Sequence, residues 1–151
     1  MKANKCVYVC ICLLVVAPIL FAEDYKKEIP VEEAMKAFCV TWINVSDPKN
    51  YCQKDIYYNN GKYEWYWIIT DTEPGFTGTF KIEKAWKDGE GNTWFTVWRT
   101  YKGGTWALNK VSNSGTVLEL NRYFKPDNPP SKIDSDDPSY PYFRYTKKNI
   151  K

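Results

Sequence analysis

The sequence predicts a mainly β protein: an antiparallel up-and-down meander that closes into a barrel, preceded by one short N-terminal helix. Three observations carry this expectation. Residues 62–124 divide into runs that alternate with period two. In the run Phe76–Trp86, the residues Phe76, Phe80, Ile82 and Trp86 fall on one face, and Thr77, Thr79, Lys81 and Glu83 on the other. The connections are short and rich in Gly, Asn, Asp and Pro, as in Thr72-Glu73-Pro74-Gly75 and Lys102-Gly103-Gly104. Such links make hairpins and leave no room for a crossover helix, so neighbouring strands run antiparallel. Finally, 17% of the residues are aromatic. A core with so many rings is either tightly stacked or wraps around a flat guest.

Taken in order, the chain opens with Lys2 and Lys5, an apolar run Cys6–Phe21, the small residue Ala22 and then acid at Glu23 and Asp24. A basic start, a greasy middle and a small-residue exit read as a secretory signal peptide spanning residues 1–22. Its cleavage removes two lysines and no acid, so the formal charge drops from +3 to +1. That balance argues against nucleic acid as a partner. It also leaves about 129 residues, enough for one modest core. Three of the five cysteines leave with the signal; Cys39 and Cys52 remain. In an oxidising compartment an isolated pair is most simply a disulfide, worth about 3 kcal/mol on the chain-entropy account.

Val31, Ala34, Met35 and Phe38 recur at helical spacing, with Pro30 and two acids at the start, which predicts a two-turn amphipathic helix. Val40–Val45 and Cys52–Tyr58 are the first two strands, and Asn59-Asn60-Gly61 turns the second into the meander. Asn44-Val45-Ser46 is a glycosylation sequon, and its use would put Asn44 on the surface. The meander itself supplies Lys62–Thr70, Phe76–Trp86, Thr93–Tyr101, Thr105–Val111 and Thr116–Phe124. The prolines after Lys125 end that pattern. Residues 23–124 are therefore read as the barrel domain, and 125–151 as a Pro-rich tail. Deletion of 125–151 is therefore expected to leave the meander folded, and a last strand around Tyr142–Tyr145 is the alternative.

The chain has no histidine. The commonest general base and metal ligand is therefore missing, and no paired carboxylates fall where a cleft would gather them. No catalytic residue, no metal and no cofactor is expected, and the chain is not read as an enzyme. The charges within patterned strands are Glu64, Glu119, Arg99 and Arg122. Arg99 shares a face with Phe95, Val97 and Tyr101, and a cation on an apolar face needs a partner or an anionic ligand. The opposite parity, with Trp94 and Trp98 inward, is the alternative.

A signal peptide, a short helix, one long meander and a Pro-rich end resemble the small secreted lipocalins. More narrowly, Glu33-Ala34-Met35-Lys36-Ala37-Phe38 is similar to the helix motif that opens the salivary lipocalins of ticks, the histamine-binding type. Met35 stands where that motif has tryptophan, and the second cysteine pair of those proteins is missing. The resemblance implies a lipocalin-like barrel in a salivary, secreted protein that sequesters a biogenic amine or a lipid mediator. A solid-cored module that binds an extracellular protein is the other reading. The ring-rich strands offer Trp65, Trp67, Phe80, Ile82, Phe95, Val97, Arg99, Trp106, Leu108 and Leu120 as ligand-binding residues. Of the tryptophans, Trp65, Trp67, Trp86, Trp94 and Trp106 occupy positions that could line a cup. The expected partner is a small amphipathic or aromatic molecule, with no nucleic acid and no membrane once the signal is cleaved.

Overall fold

The computed structural model describes residues 26–46, 53–123, 130–138 and 140–148. The proposed signal peptide lies outside them. The elements are β1 (Lys27–Glu28), α1 (Val31–Phe38), β2 (Thr41–Asn44), β3 (Lys54–Tyr57), β4 (Lys62–Tyr66), β5 (Phe76–Lys87), β6 (Thr93–Arg99), a 3-10 turn at Tyr101–Gly103, β7 (Thr105–Val111), β8 (Val117–Tyr123) and β9 (Tyr142–Lys147). Strands β2 to β9 pair in chain order, every pair antiparallel, and β9 returns to β2. The result is an eight-stranded closed meander with one short helix, the architecture the sequence predicts. The two-residue β1 adds to β5 outside the ring.

The segment beyond residue 124 is not an appendage. Its β9 sits between β8 and β2 and completes the barrel, with Tyr145 fully buried. The boundary expected at residue 124 thus falls inside one closed sheet. Prolines mark the segment that precedes this strand, not the end of the fold, because proline is excluded from a central strand but not from its approach.

Register fixes which face is inward. Directly paired residues share a face, and the rows Asp55–Trp65–Phe76 and Val97–Ala107 point into the barrel. In β5 the parity changes midway. The pairing jumps from Ile82↔Val97 to Lys84↔Thr96, a bulge at Glu83. One extra residue moves everything after it to the other face. Phe80 and Ile82 therefore point in, as does Ala85, while Trp86 points out. The straight alternation Phe76–Trp86 predicted otherwise.

Helix α1 plugs one end. Its apolar face carries Ala34 and Phe38, both fully buried. The Phe38 ring lies 3.9 Å from that of Tyr57, 4.9 Å from that of Phe95 and 5.6 Å from that of Phe80. The indole of Trp42, also fully buried, donates to the Phe38 carbonyl at 2.9 Å and so satisfies one of the helix's orphan acceptors. Outside, Glu33 pairs with Lys87 at 2.6 Å and ties the first helical turn to the end of β5.

Strand β4 stops at Tyr66 instead of continuing to Thr70. The Asp71 carboxylate accepts from the Ile68 amide at 3.0 Å, and Lys54 Nζ donates to the carbonyls of Ile69 and Asp71 at 3.1 and 2.9 Å. These bonds turn the chain at the rim, an option that a β-branched run conceals but a following Asp provides.

The predicted bridge between Cys39 and Cys52 is not made in this structure. Cys39 carries a free thiol, its Sγ 3.8 Å from Met35 Sδ at the foot of α1, and Cys52 lies outside the described residues. Burial pushes the Cys39 thiol up to about 11. At pH 8 it is therefore almost wholly protonated and a poor nucleophile. Peptide mapping after a short iodoacetamide pulse should find Cys39 alkylated at least roughly tenfold more slowly in the folded protein than in urea. Equal rates would show that the thiol is not shielded.

Candidate functional site

The end of the barrel opposite α1 is formed where β2, β4, β6 and β8 finish and β3, β5, β7 and β9 begin. Each of those strands delivers an inward residue near this mouth. Rings supply the wall: Trp65 and Phe76 lie parallel at 6.1 Å, and Tyr101 stands edge-on to both at 6.0 and 5.2 Å. Gly78 makes this packing feasible. A Cβ there would come within 2.9 Å of the Tyr63 ring and 2.6 Å of the Phe76 ring.

Beneath the rings is a buried polar cluster, placed by the same alternation. Asp55 and Tyr57 come from β3, Arg99 from β6, Arg122 from β8 and Tyr145 from β9. The Arg122 Nη2 donates to Asp55 Oδ2 at 3.2 Å and to the Tyr145 hydroxyl at 3.1 Å, and its guanidinium sits 4.5 Å above the Phe143 ring. Arg99 Nη1 donates to the Tyr57 hydroxyl at 2.6 Å, which itself faces Asp55 Oδ2 at 3.4 Å. Burial raises the Tyr57 phenol far above its ordinary range, with Arg99 pulling the other way, so this hydroxyl stays a neutral relay between the two charged ends. Burial likewise pushes Tyr63 up to about 12.

The cluster is unbalanced. Two guanidinium groups face one carboxylate, and that carboxylate is already paired with Arg122. Arg99 is 2% exposed and makes no ion pair among the described residues. Its Nε and Nη2 are buried without an acceptor. A buried guanidinium with two idle donors costs several kcal/mol in desolvation unless something anionic meets it.

No protein family, curated protein or solved structure matches this chain. The site therefore stands on its own geometry.

Of the residues expected to bind a ligand, Trp65, Phe80, Ile82, Phe95, Val97, Arg99 and Leu120 do face the interior. Only Trp65 and Arg99 belong to the mouth; Phe80 and Phe95 pack against the helix plug, and Ile82, Val97 and Leu120 also belong to the buried core. Trp106 and Leu108 are corrections. Pairing Val97 with Ala107 and Trp98 with Trp106 puts Ala107 and Asn109 inside and sends Trp106 and Leu108 out. Ala107 shares the inward face of Val97 and Asn109 that of Phe95, so small residues stand beside larger ones inside the barrel. Leu108 is nonetheless buried, as is its outward neighbour Asn121, which exchanges bonds with the Asp134 backbone at 3.0 and 2.7 Å. Trp67 sits at the rim, 45% exposed.

Trp86 and Trp94 also face out, as a near-parallel cross-strand pair, and Trp98 lies on Gly104, whose φ of 121° only glycine accepts readily. Glu64 and Glu119 point outward and accept from Tyr66 and Tyr142 at 2.7 and 2.9 Å. Asn44 is 7% exposed and its Oδ1 accepts from both the amide and the hydroxyl of Ser46 at 3.0 and 2.9 Å. The sequon is thus folded onto itself and does not present Asn44 on the surface.

Asp55, Tyr57 and Tyr145 are site residues that the sequence reading does not single out. The signal for the first two was present in Lys54–Tyr57, where acid and phenol share the parity of Trp65 across the turn. Tyr145 was hidden by the tail assignment.

Proposed function

We propose that the chain is a secreted, non-enzymatic binding protein that holds a small amphipathic ligand in the mouth of the barrel, with the ligand's anionic head on Arg99 and its apolar part against Trp65, Phe76 and Tyr101. The single observation that carries this reading is the buried guanidinium with two unmet donors. A lipid carboxylate would supply both acceptors and cancel the excess positive charge. A biogenic amine would add to that charge, and Asp55, the buried acid of this mouth, is already taken by Arg122. The site therefore favours the lipid-mediator side of the expected ligands.

Titration with oleate, a leukotriene, histamine and serotonin in one buffer, followed by tryptophan emission, tests this. The carboxylates should perturb the emission through Trp65, and Arg99→Gln should weaken them by about 10- to 100-fold, the worth of one charge-assisted hydrogen-bond pair. The same substitution should leave the unliganded protein equally or more stable, because it removes a buried charge that no acid among the described residues pairs with. Amines binding as well as carboxylates, or an Arg99→Gln protein that binds normally, would overturn the reading.

A second reading has its own observation. Val45, Trp67, Ile68 and Ile69 are 47, 45, 52 and 41% exposed and all lie at this same end. Such a cluster suits contact with an extracellular protein. Under that reading Ile68→Glu abolishes a partner contact and leaves carboxylate titrations untouched.

A further inference from the structure

On the outer wall, one cross-strand row reads Glu28, Trp86, Trp94, Lys110, Glu119 and Arg144, each residue directly opposite the next. Three cavities of about 390, 330 and 190 Å³ lie along this row. The first and second share Lys26 and Trp86, and the second and third share Trp94 and Ile133, so the three adjoin along the row as the segments of a trough. One side is the β5–β6 turn at Asp88 and Gly89. The other is the segment Ser131 to Ser135, held against the sheet through Asp134 and Asn121. At about 4.8 Å per strand, a trough from β5 to β8 is roughly 15 Å long, more suited to a chain-like ligand than to a compact one.

Its chemistry is specific. The indoles of Trp86 and Trp94 are within 10° of parallel, with centroids 6.2 Å apart. Trp94 is locked by donation to Asp88 Oδ2 at 2.8 Å, and Asp88 is spent on that bond and on the backbone of its own turn. Each indole carries its own ammonium: Lys26 at 5.7 Å from Trp86 and Lys110 at 5.4 Å from Trp94. Neither lysine forms an ion pair among the described residues. Lys132, on the wall, is shared with Asp134 at 2.7 Å. The acids Glu28 and Glu83 also line the first cavity, Glu28 directly opposite Trp86, and Glu119 in the third accepts from Tyr142.

We infer that this trough is a second binding site, separate from the barrel mouth, for an acidic saccharide chain whose sugar faces lie on Trp86 and Trp94 and whose sulfate or carboxylate groups meet Lys26 and Lys110. Flat, weakly polar rings suit the apolar C–H face of a pyranose, and the paired ammonium groups select the anionic sugars from the neutral ones. The mouth and the trough lie on opposite faces of the sheet, so the inference is independent of the ligand proposed above.

The test uses the whole protein, a sulfated heparin hexasaccharide, neutral maltohexaose and inorganic polyphosphate, read by calorimetry and by tryptophan emission. The sulfated hexasaccharide should bind and change the emission. Lys26→Gln with Lys110→Gln should weaken it roughly tenfold or more, as loss of two exposed cationic contacts implies. Trp86→Ala should weaken it comparably. Trp86→Phe should retain most of the affinity, which guards against mere misfolding. Polyphosphate binding as tightly as the hexasaccharide would reduce the trough to a charge effect and overturn the inference. So would maltohexaose binding as tightly, affinity unchanged in the lysine variant, or no binding of the hexasaccharide at millimolar concentration.

Discussion

Deletion of residues 125–151 should unfold the protein, with near-UV dichroism and amide dispersion both lost. The segment contains β9, the strand that lies between β8 and β2 and carries the fully buried Tyr145. Its removal would open two sheet edges at once and leave the interior beside Leu118 and Leu120 in contact with water. Burial of one large aromatic side chain is worth about 3–5 kcal/mol on truncation, a large part of the roughly 5–15 kcal/mol that holds a domain of this size. A truncated protein with native near-UV dichroism would mean that the seven remaining strands make a stable sheet without closure.

The substitution Phe38→Ala should have the largest effect of any single change at the helix, a loss of about 3–5 kcal/mol. Phe38 is the only side chain of α1 with its ring among those of Tyr57, Phe80 and Phe95. Without it the helix, eight residues long and marginal by itself, docks only through Ala34, the partly buried Val31, Met35 and Ala37, and the exposed Glu33–Lys87 pair. Chemical denaturation should show the midpoint falling with little change in slope. A loss below about 1 kcal/mol would show that the barrel end does not depend on its plug.

The sequence made the meander legible because period two and glycine-bearing turns are local signals, and seven of the eight barrel strands lie where those signals put them. Arg99 shares parity with Phe95 and Val97, and of the two parities open to this strand that one is inward. Two kinds of information were not local. The bulge at Glu83 leaves no composition mark, so Trp86 was given the parity of Ile82. The choice between Trp106 and Ala107 depended on which residues of β6 they meet, Trp98 and Val97, a register that β7 alone does not reveal. The partnership of Arg122 with Asp55 joins residues 67 positions apart and has no trace in either strand alone. Burial of Asn44 was concealed for the opposite reason: a short motif promised surface exposure, and the closing strand covered it.

The pairing of β2 with β9 also sets the order in which the molecule can be made. The Arg144 amide meets the Ser46 hydroxyl across 98 positions of chain, and the strands between them pair within the ring only with their neighbours in the chain. Hairpins can form one after another as the polypeptide lengthens, but the ring cannot shut until its final strand is available, and the loop entropy of that last step is met all at once. Until then β2 offers a bare edge, and Trp42 and Leu118 lack their partners on β9. A nascent chain in this state is a ready template for another like it. Closure of the ring therefore waits on the hexapeptide strand Tyr142–Lys147.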